Sequence, residues 1–272
     1  MSTRGVFAVI AVECSKLLAQ FKAQVLLAIC VIAPFVFAIS MRVQSSLPTD
    51  TLFGRAANES GFAVSLVVLG FAGLWVFPVL TGVVGGDVFS SEDRYGTWAT
   101  VLTRSRSRAE IFVGKTITAI AFSLLAIALL GASTVAAGVL LIGYTPLVDL
   151  SGILLRPDQA WPRVALAWTS VLPPALGFTA LGILLSVATR SSAAGIGFPV
   201  VIGLLMQLVA FVDGPEEGRR LLITYAFGGW HGLLFQPAFY GPLIHGTAVS
   251  VIYLVGCLMI AYRLLQRREI GR

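Results

Sequence analysis

A chain of 272 residues that is 57% hydrophobic and only 12% charged lacks the polar surface of a soluble globule, whose charged share is near ~25%. The composition points to a polytopic membrane protein and excludes a secreted disulfide scaffold, because Cys14, Cys30 and Cys257 are scattered with no pairing or metal-ligand spacing. The formal net charge of +6 reads as membrane topology rather than nucleic-acid binding.

At the N-terminus no short apolar core precedes a small-residue cleavage site, so the first span is expected to stay in the mature protein. Val6, Ile10, Cys14, Leu17 and Phe21 recur at spacings of four, four, three and four, while Arg4, Glu13, Lys16 and Gln20 lie elsewhere on the wheel. This pattern predicts an interfacial helix over 1–22 on the inner leaflet, the plainer alternative being an inward continuation of the first span. Six windows without charge are long enough to cross, since a crossing needs roughly 20 residues at about 1.5 Å each. They are 23–41, 61–86, 116–142, 164–189, 191–212 and 244–262. Only Thr189, Arg190 and Ser191 separate the fourth window from the fifth, which predicts a tight inner hairpin.

Placing both termini inside leaves Arg42, Arg55, Arg156, Arg163, Arg219 and Arg220 as the outer basic residues, with the other thirteen of the nineteen inside. That bias supports the orientation, since Lys and Arg stay on the cytoplasmic side of short loops. The stretch 90–115 carries Arg94, Arg104, Arg106, Arg108 and Lys115, a density of charge that hydrocarbon does not host. Within it, Tyr95, Trp98, Val101 and Leu102 are spaced as the apolar face of a short surface helix. Ser90 or Ser91 is placed to cap that helix, and Glu92 and Asp93 sit near its positive end. A coupling region over 90–112, a lever between a soluble partner and the spans, is one reading; a solvated basic loop is the other. The stretch 221–262 has no formal charge and is long enough for two crossings. Its first half holds Gly228, Gly229, Gly232, Pro237, Gly241 and Pro242, breakers that predict a re-entrant outer helical hairpin over 221–243 instead. The loops are too short for a further domain, so 1–272 reads as one all-α polytopic domain with six spans.

No catalytic or metal constellation is found in the sequence. Ala109 to Thr116, AEIFVGKT, fits a relaxed phosphate-loop pattern, but Glu110, Ile111, Phe112 and Val113 favour a regular helix over a glycine-rich cradle. Lys115 is expected to snorkel at the inner interface. His231 and His245 have no partner at metal-ligand spacing. With no ionisable group inside a span to sense a gradient, active transport needs energy from elsewhere. Trp75, Phe77, Trp168 and Phe178 are the candidate substrate path. They offer aromatic surface without fixed charge, suited to an apolar or amphipathic cargo, and core packing explains them equally well.

The run Glu92, Asp93, Arg94, Tyr95, Gly96, Thr97, then Leu102, Ser107, Arg108 and the pair Gly114 and Lys115 resembles the inner loop of type-2 ABC exporter permeases. In that family an acidic residue precedes Gly-Thr, and Ser/Thr-Arg precedes Gly-Lys. The hairpin at 189–194 and the ending Arg267, Arg268, Glu269, Ile270 are similar too, while Ser105 stands where a proline is usual. The resemblance implies a transmembrane subunit in the bacterial cytoplasmic membrane, both termini cytoplasmic, exporting a drug, antibiotic or lipid. It implies two copies of a separate ATP-binding ABC subunit, a second permease chain, identical or homologous, and lipid as partners, with no nucleic acid. ATP and Mg would sit at that partner and no cofactor on this chain. Glu92, Tyr95, Gly96, Thr97 and Arg108 would contact or shape the partner dock, with Arg190 nearby. An ATP-independent channel or secondary carrier, and a membrane-embedded enzyme, remain as the other readings.

Overall fold

In hydrocarbon the backbone has no hydrogen-bond partner except itself, and the long apolar runs are accordingly helical. The computed structural model describes residues 3–43, 51–98, 107–210 and 216–268. Val101, Leu102, Arg104, Ser105, Arg106, the predicted end of the fifth span at 211–212, and Glu269, Ile270 and Arg272 lie outside the described residues.

Helix α1 (Thr3–Ala19) is followed by Gln20, which is not helical, and by α2 (Phe21–Val43). Gln24 Nε2 donates to the Leu18 carbonyl across that break at 2.9 Å. The second crossing is compound: α3 (Gly61–Phe71), a π-helical segment (Ala72–Val76) and α4 (Phe77–Asp87). Then come a short α5 (Ser90–Arg94) and the long α6 (Arg108–Leu141). A two-stranded antiparallel hairpin, β1 (Leu147–Val148) and β2 (Leu154–Leu155), precedes α7 (Pro157–Ser170) and α8 (Leu172–Thr189). The chain continues with α9 (Ser192–Ala210), short α10 (Glu216–Arg220) and α11 (Ile223–Ala226), a 3-10 segment (Gly229–Leu234), and α12 (Gly241–Arg267). Among the described residues, six segments are long and apolar enough to cross a membrane: Phe21–Val43, Gly61–Asp87, Arg108–Leu141, Pro157–Thr189, Ser192–Val209 and Gly241–Arg267. The protein is an all-α polytopic membrane protein.

Each crossing contains the window expected for it or nearly all of it, and the third begins earlier than its hydrophobicity indicates. Ser107 and Glu110 form a capping box, with Ser107 Oγ accepting from the Glu110 amide at 3.2 Å and the Glu110 carboxylate accepting from the Ser107 amide at 3.2 Å. That pair starts α6 at Arg108, before the apolar run does.

Lipid gives no hydrophobic drive for helix association, so close backbone approach through small residues takes its place. Helix α4 packs on α8 and α9, α8 on α12, and α6 on α1, α2 and α3. At the α4–α9 crossing Gly86 meets Gly195, and a Cβ on either would fall on the other's backbone. Gly61 and Gly138 meet in the same way between α3 and α6. An even number of crossings puts α1, α5, the turn at 189–191 and the end of α12 at one end of the bundle. At the opposite end the hairpin is tied to the 3-10 segment, the Leu150 amide donating to the Leu234 carbonyl at 2.9 Å.

Candidate functional site at the α5 end

Glu13 on α1, Glu92 on α5 and Lys115 on α6 are far apart in sequence, and the packing of these three helices brings them together. Lys115 is 1% exposed. Its Nζ donates to Glu13 Oε2 at 2.8 Å, to Glu92 Oε1 at 2.9 Å and to the Val88 carbonyl at 3.0 Å, which uses all three ammonium donors. Lys16 closes the cluster from α1, donating to Glu13 Oε1 and to Glu92 Oε1, each at 3.1 Å. The expectation that Lys115 snorkels to the interface is therefore corrected: with two carboxylates and a carbonyl inside the bundle, its head turns inward. Sequence reading missed the hub because Glu13 lies 102 positions away. The available signal was a glutamate lying off the apolar stripe of α1.

Burial pushes the Glu92 carboxyl up, but the Lys115 ammonium, with hydrogen bonds from Thr97, Lys115 and Lys16, outweighs it and holds the group at about 2. The Thr97 hydroxyl donates to the Glu92 carboxylate, and the Thr97 amide donates to the Glu92 carbonyl at 3.0 Å. The loop thus folds back over its own helix. Gly96 makes that reversal possible with φ of 64°, a left-handed conformation that costs other residues about 1–2 kcal/mol. A side chain at Gly96 would meet nothing within 4 Å.

The break at Gly96 changes the expected surface helix. Tyr95 is 68% exposed, with Arg94 Nη2 donating to its hydroxyl at 2.8 Å and the guanidinium 4.6 Å from its ring. Trp98 instead turns inward beneath Arg268, whose guanidinium lies 5.2 Å from the ring and pairs with Asp93. A spacing of three puts Tyr95 and Trp98 on one face only if the helix continues between them, and it does not. Nor does Ser90 or Ser91 cap α5 by its side chain. The Ser90 hydroxyl donates back to the Gly86 carbonyl at 2.8 Å and accepts from the Ser192 hydroxyl at 3.2 Å, while Ser186 Oγ on α8 accepts from the Ser90 amide at 2.9 Å.

Arg108 Nη1 donates to the carbonyls of Leu265 at 3.3 Å and Gln266 at 2.8 Å, fastening the start of α6 to the end of α12. Arg190 is exposed at the tip of the α8–α9 turn with φ of 56°. Lys22, at the start of α2, pairs with Asp87, at the end of α4. Glu92, Tyr95, Gly96, Thr97, Arg108 and Arg190 therefore share one end of the bundle. Tyr95, Gly96 and Arg190 are open to solvent and Glu92 is buried behind them.

The candidate path residues do not form one surface. Phe77 and Phe178 are fully buried and stack on Phe227, with centroids 5.4 and 5.9 Å away. Trp168 meets Phe77 edge-on at 6.3 Å and donates from Nε1 to Ser65 Oγ at 2.9 Å. Trp75 is 47% exposed and stands apart from this aromatic core.

The family model described as ABC-2 family transporter protein matches residues 9–206. None of the curated proteins compared with the chain matches it.

Proposed function

The chain belongs to the ABC-2 family of transporter proteins, and on that premise we propose that it is the permease of an ATP-driven exporter. The cargo is an apolar or amphipathic small molecule, moved outward across a bacterial plasma membrane. ATP and Mg are handled by a separate ABC subunit, in two copies, docked at the α5 end of a pair of permease chains, identical or homologous. That end and both termini are taken as cytoplasmic, a reading supported by the bias of Lys and Arg towards it.

The observation that carries this reading is a small exposed tip, Arg94 to Gly96, mounted on a rigid base. Behind the tip, Glu92 is bonded to α1 and α6, Ser90 to α8 and α9, and Asp93 to Arg268 after α12. A displacement applied at the tip is thus delivered to several crossings at once, as a transmission element requires.

Gly96→Trp tests it. The side chain has room, but the left-handed backbone does not suit it, so the tip changes shape while the crossings are untouched. The expected result in reconstituted vesicles is normal insertion and amount, with ATP hydrolysis no longer supporting transport. An unchanged ratio of transport to hydrolysis overturns the assignment.

A further inference from the structure

Among the described residues at the α5 end the acidic side chains are Glu13, Asp87, Glu92, Asp93 and Glu110, and none of them is exposed. Glu13 and Glu92 are held by Lys115 and Lys16, Asp87 by Lys22, Asp93 by Arg268, and Glu110 accepts from the Ser107 amide. The exposed charges at that end are Arg4, Lys16, Arg94, Arg190, Arg263 and Arg267, every one a cation. Membrane orientation accounts for Lys and Arg on one side but not for hiding the acids, because Asp and Glu contribute little to it. A face that shows only cations is the complement of an acidic one.

Two of these arginines share the tip. The hydroxyls of Ser90 and Ser192 meet at 3.2 Å and set α5 beside the α8–α9 turn, with Arg94 one helical turn after Ser90 and Arg190 two residues before Ser192. Arg94 gives one bond to the Tyr95 hydroxyl, and a guanidinium has five N–H donors. The Arg190 side chain has no hydrogen bond or ion pair among the described residues. Yet its backbone is left-handed just past the end of α8, where glycine or asparagine is the usual residue. A strained position given to a side chain that the fold does not use points to a role outside the chain. The bilayer surface is marked instead by α1, where Phe7, Leu18 and Phe21 are exposed beside Arg4 and Lys16. The exposed neighbours of Arg94 and Arg190 in sequence include Tyr95, Gly96 and Ser191, which carry no aliphatic side chain to enter lipid.

We infer that Arg94 and Arg190 are the docking cations of the α5 end, and that the ABC subunit meets them with carboxylates, the group a guanidinium fork matches. This rests on the permease reading above and adds to it the chemistry of the contact. Lys16 is not part of the pair, since it is already shared between Glu13 and Glu92.

The experiment extracts the tagged full chain from its native membrane in mild detergent and measures how much ABC ATP-binding subunit stays with it as salt rises from about 0.1 M to about 1 M. Over that range the screening length falls from about 10 Å to about 3 Å, and the parent is expected to lose most of the subunit. Arg94→Gln with Arg190→Gly should lower retention at about 0.1 M by about tenfold or more. Arg190→Gly alone should weaken retention with a melting temperature no lower than the parent's, because glycine adopts the left-handed backbone freely. Arg190→Lys keeps the charge and should keep most of the subunit. Arg4→Glu reverses a charge on α1, about 18 Å along the helix from Lys16, and should retain the subunit as the parent does. Retention indifferent to salt and to both tip substitutions, or an equal loss in Arg4→Glu, overturns the surface and leaves the permease reading intact. Added anionic phospholipid that raises the melting temperature of the parent but not of the double variant, with retention equal in the two, assigns the arginines to lipid and also overturns it. A parent accompanied by no ABC subunit at any salt removes the permease reading and this inference together.

Discussion

Lys115→Met is expected to destabilise the folded chain by about 3–5 kcal/mol, the range for a buried ion pair that loses one partner. The substitution fits the space and leaves Glu13 and Glu92 facing each other with only the half-exposed Lys16 between them. A lowered unfolding midpoint in mild detergent reads the loss. Lys115→Arg should recover little, because a planar guanidinium does not reproduce a point charge held by three acceptors on different sides. Adding Glu13→Gln and Glu92→Gln to Lys115→Met should recover much of the loss, since the uncompensated charge is then gone. The pH dependence has a definite sign. Glu92 is depressed from an ordinary value of 4.5 to about 2, so its contribution is complete above 4.5 and is lost as pH falls towards 2. Lys115→Met should flatten the acid limb in that window. A midpoint equal to the parent's, at neutral pH, contradicts the hub.

Gly86→Leu is expected to cost about 3 kcal/mol or more, at or above the upper end for overpacking. The obstacle is not a flexible side chain but the Gly195 backbone, so relief requires α4 and α9 to separate. Gly86→Ala should already be harmful for the same reason. Gly197→Ala, on α9 with nothing within 4 Å of the added carbon, serves as the control. It should be neutral or slightly stabilising, since alanine is the better helix former. Unfolding midpoints of the three variants check this, and parent-like behaviour of Gly86→Ala contradicts the crossing as described.

The crossings were legible in sequence because lipid imposes a simple rule, a long uncharged run, that needs no knowledge of neighbours. The broken stretch before α12 was legible for the related reason that Gly228 to Pro242 deny it a continuous helix. What escaped depended on packing or on one backbone angle. Lys115 looked like an interfacial anchor because its acceptors come from helices far along the chain. Tyr95 and Trp98 looked like one face because spacing presumes a continuous helix, and Gly96 ends it. The early start of α6 was readable: Ser107 and Glu110 have capping-box spacing, a signal stronger at a helix boundary than hydrophobicity.

On the proposed function, this chain supplies no energy of its own and is driven from the α5 end by another protein. The most direct measurement is to tag the full chain, extract it from its native membrane in mild detergent, and determine what accompanies it and whether the preparation hydrolyses ATP. The expected result is an ABC ATP-binding subunit present one per permease chain, with ATP hydrolysis in the complex and none in the chain alone. A chain that emerges alone and accumulates solute in vesicles without ATP would contradict it.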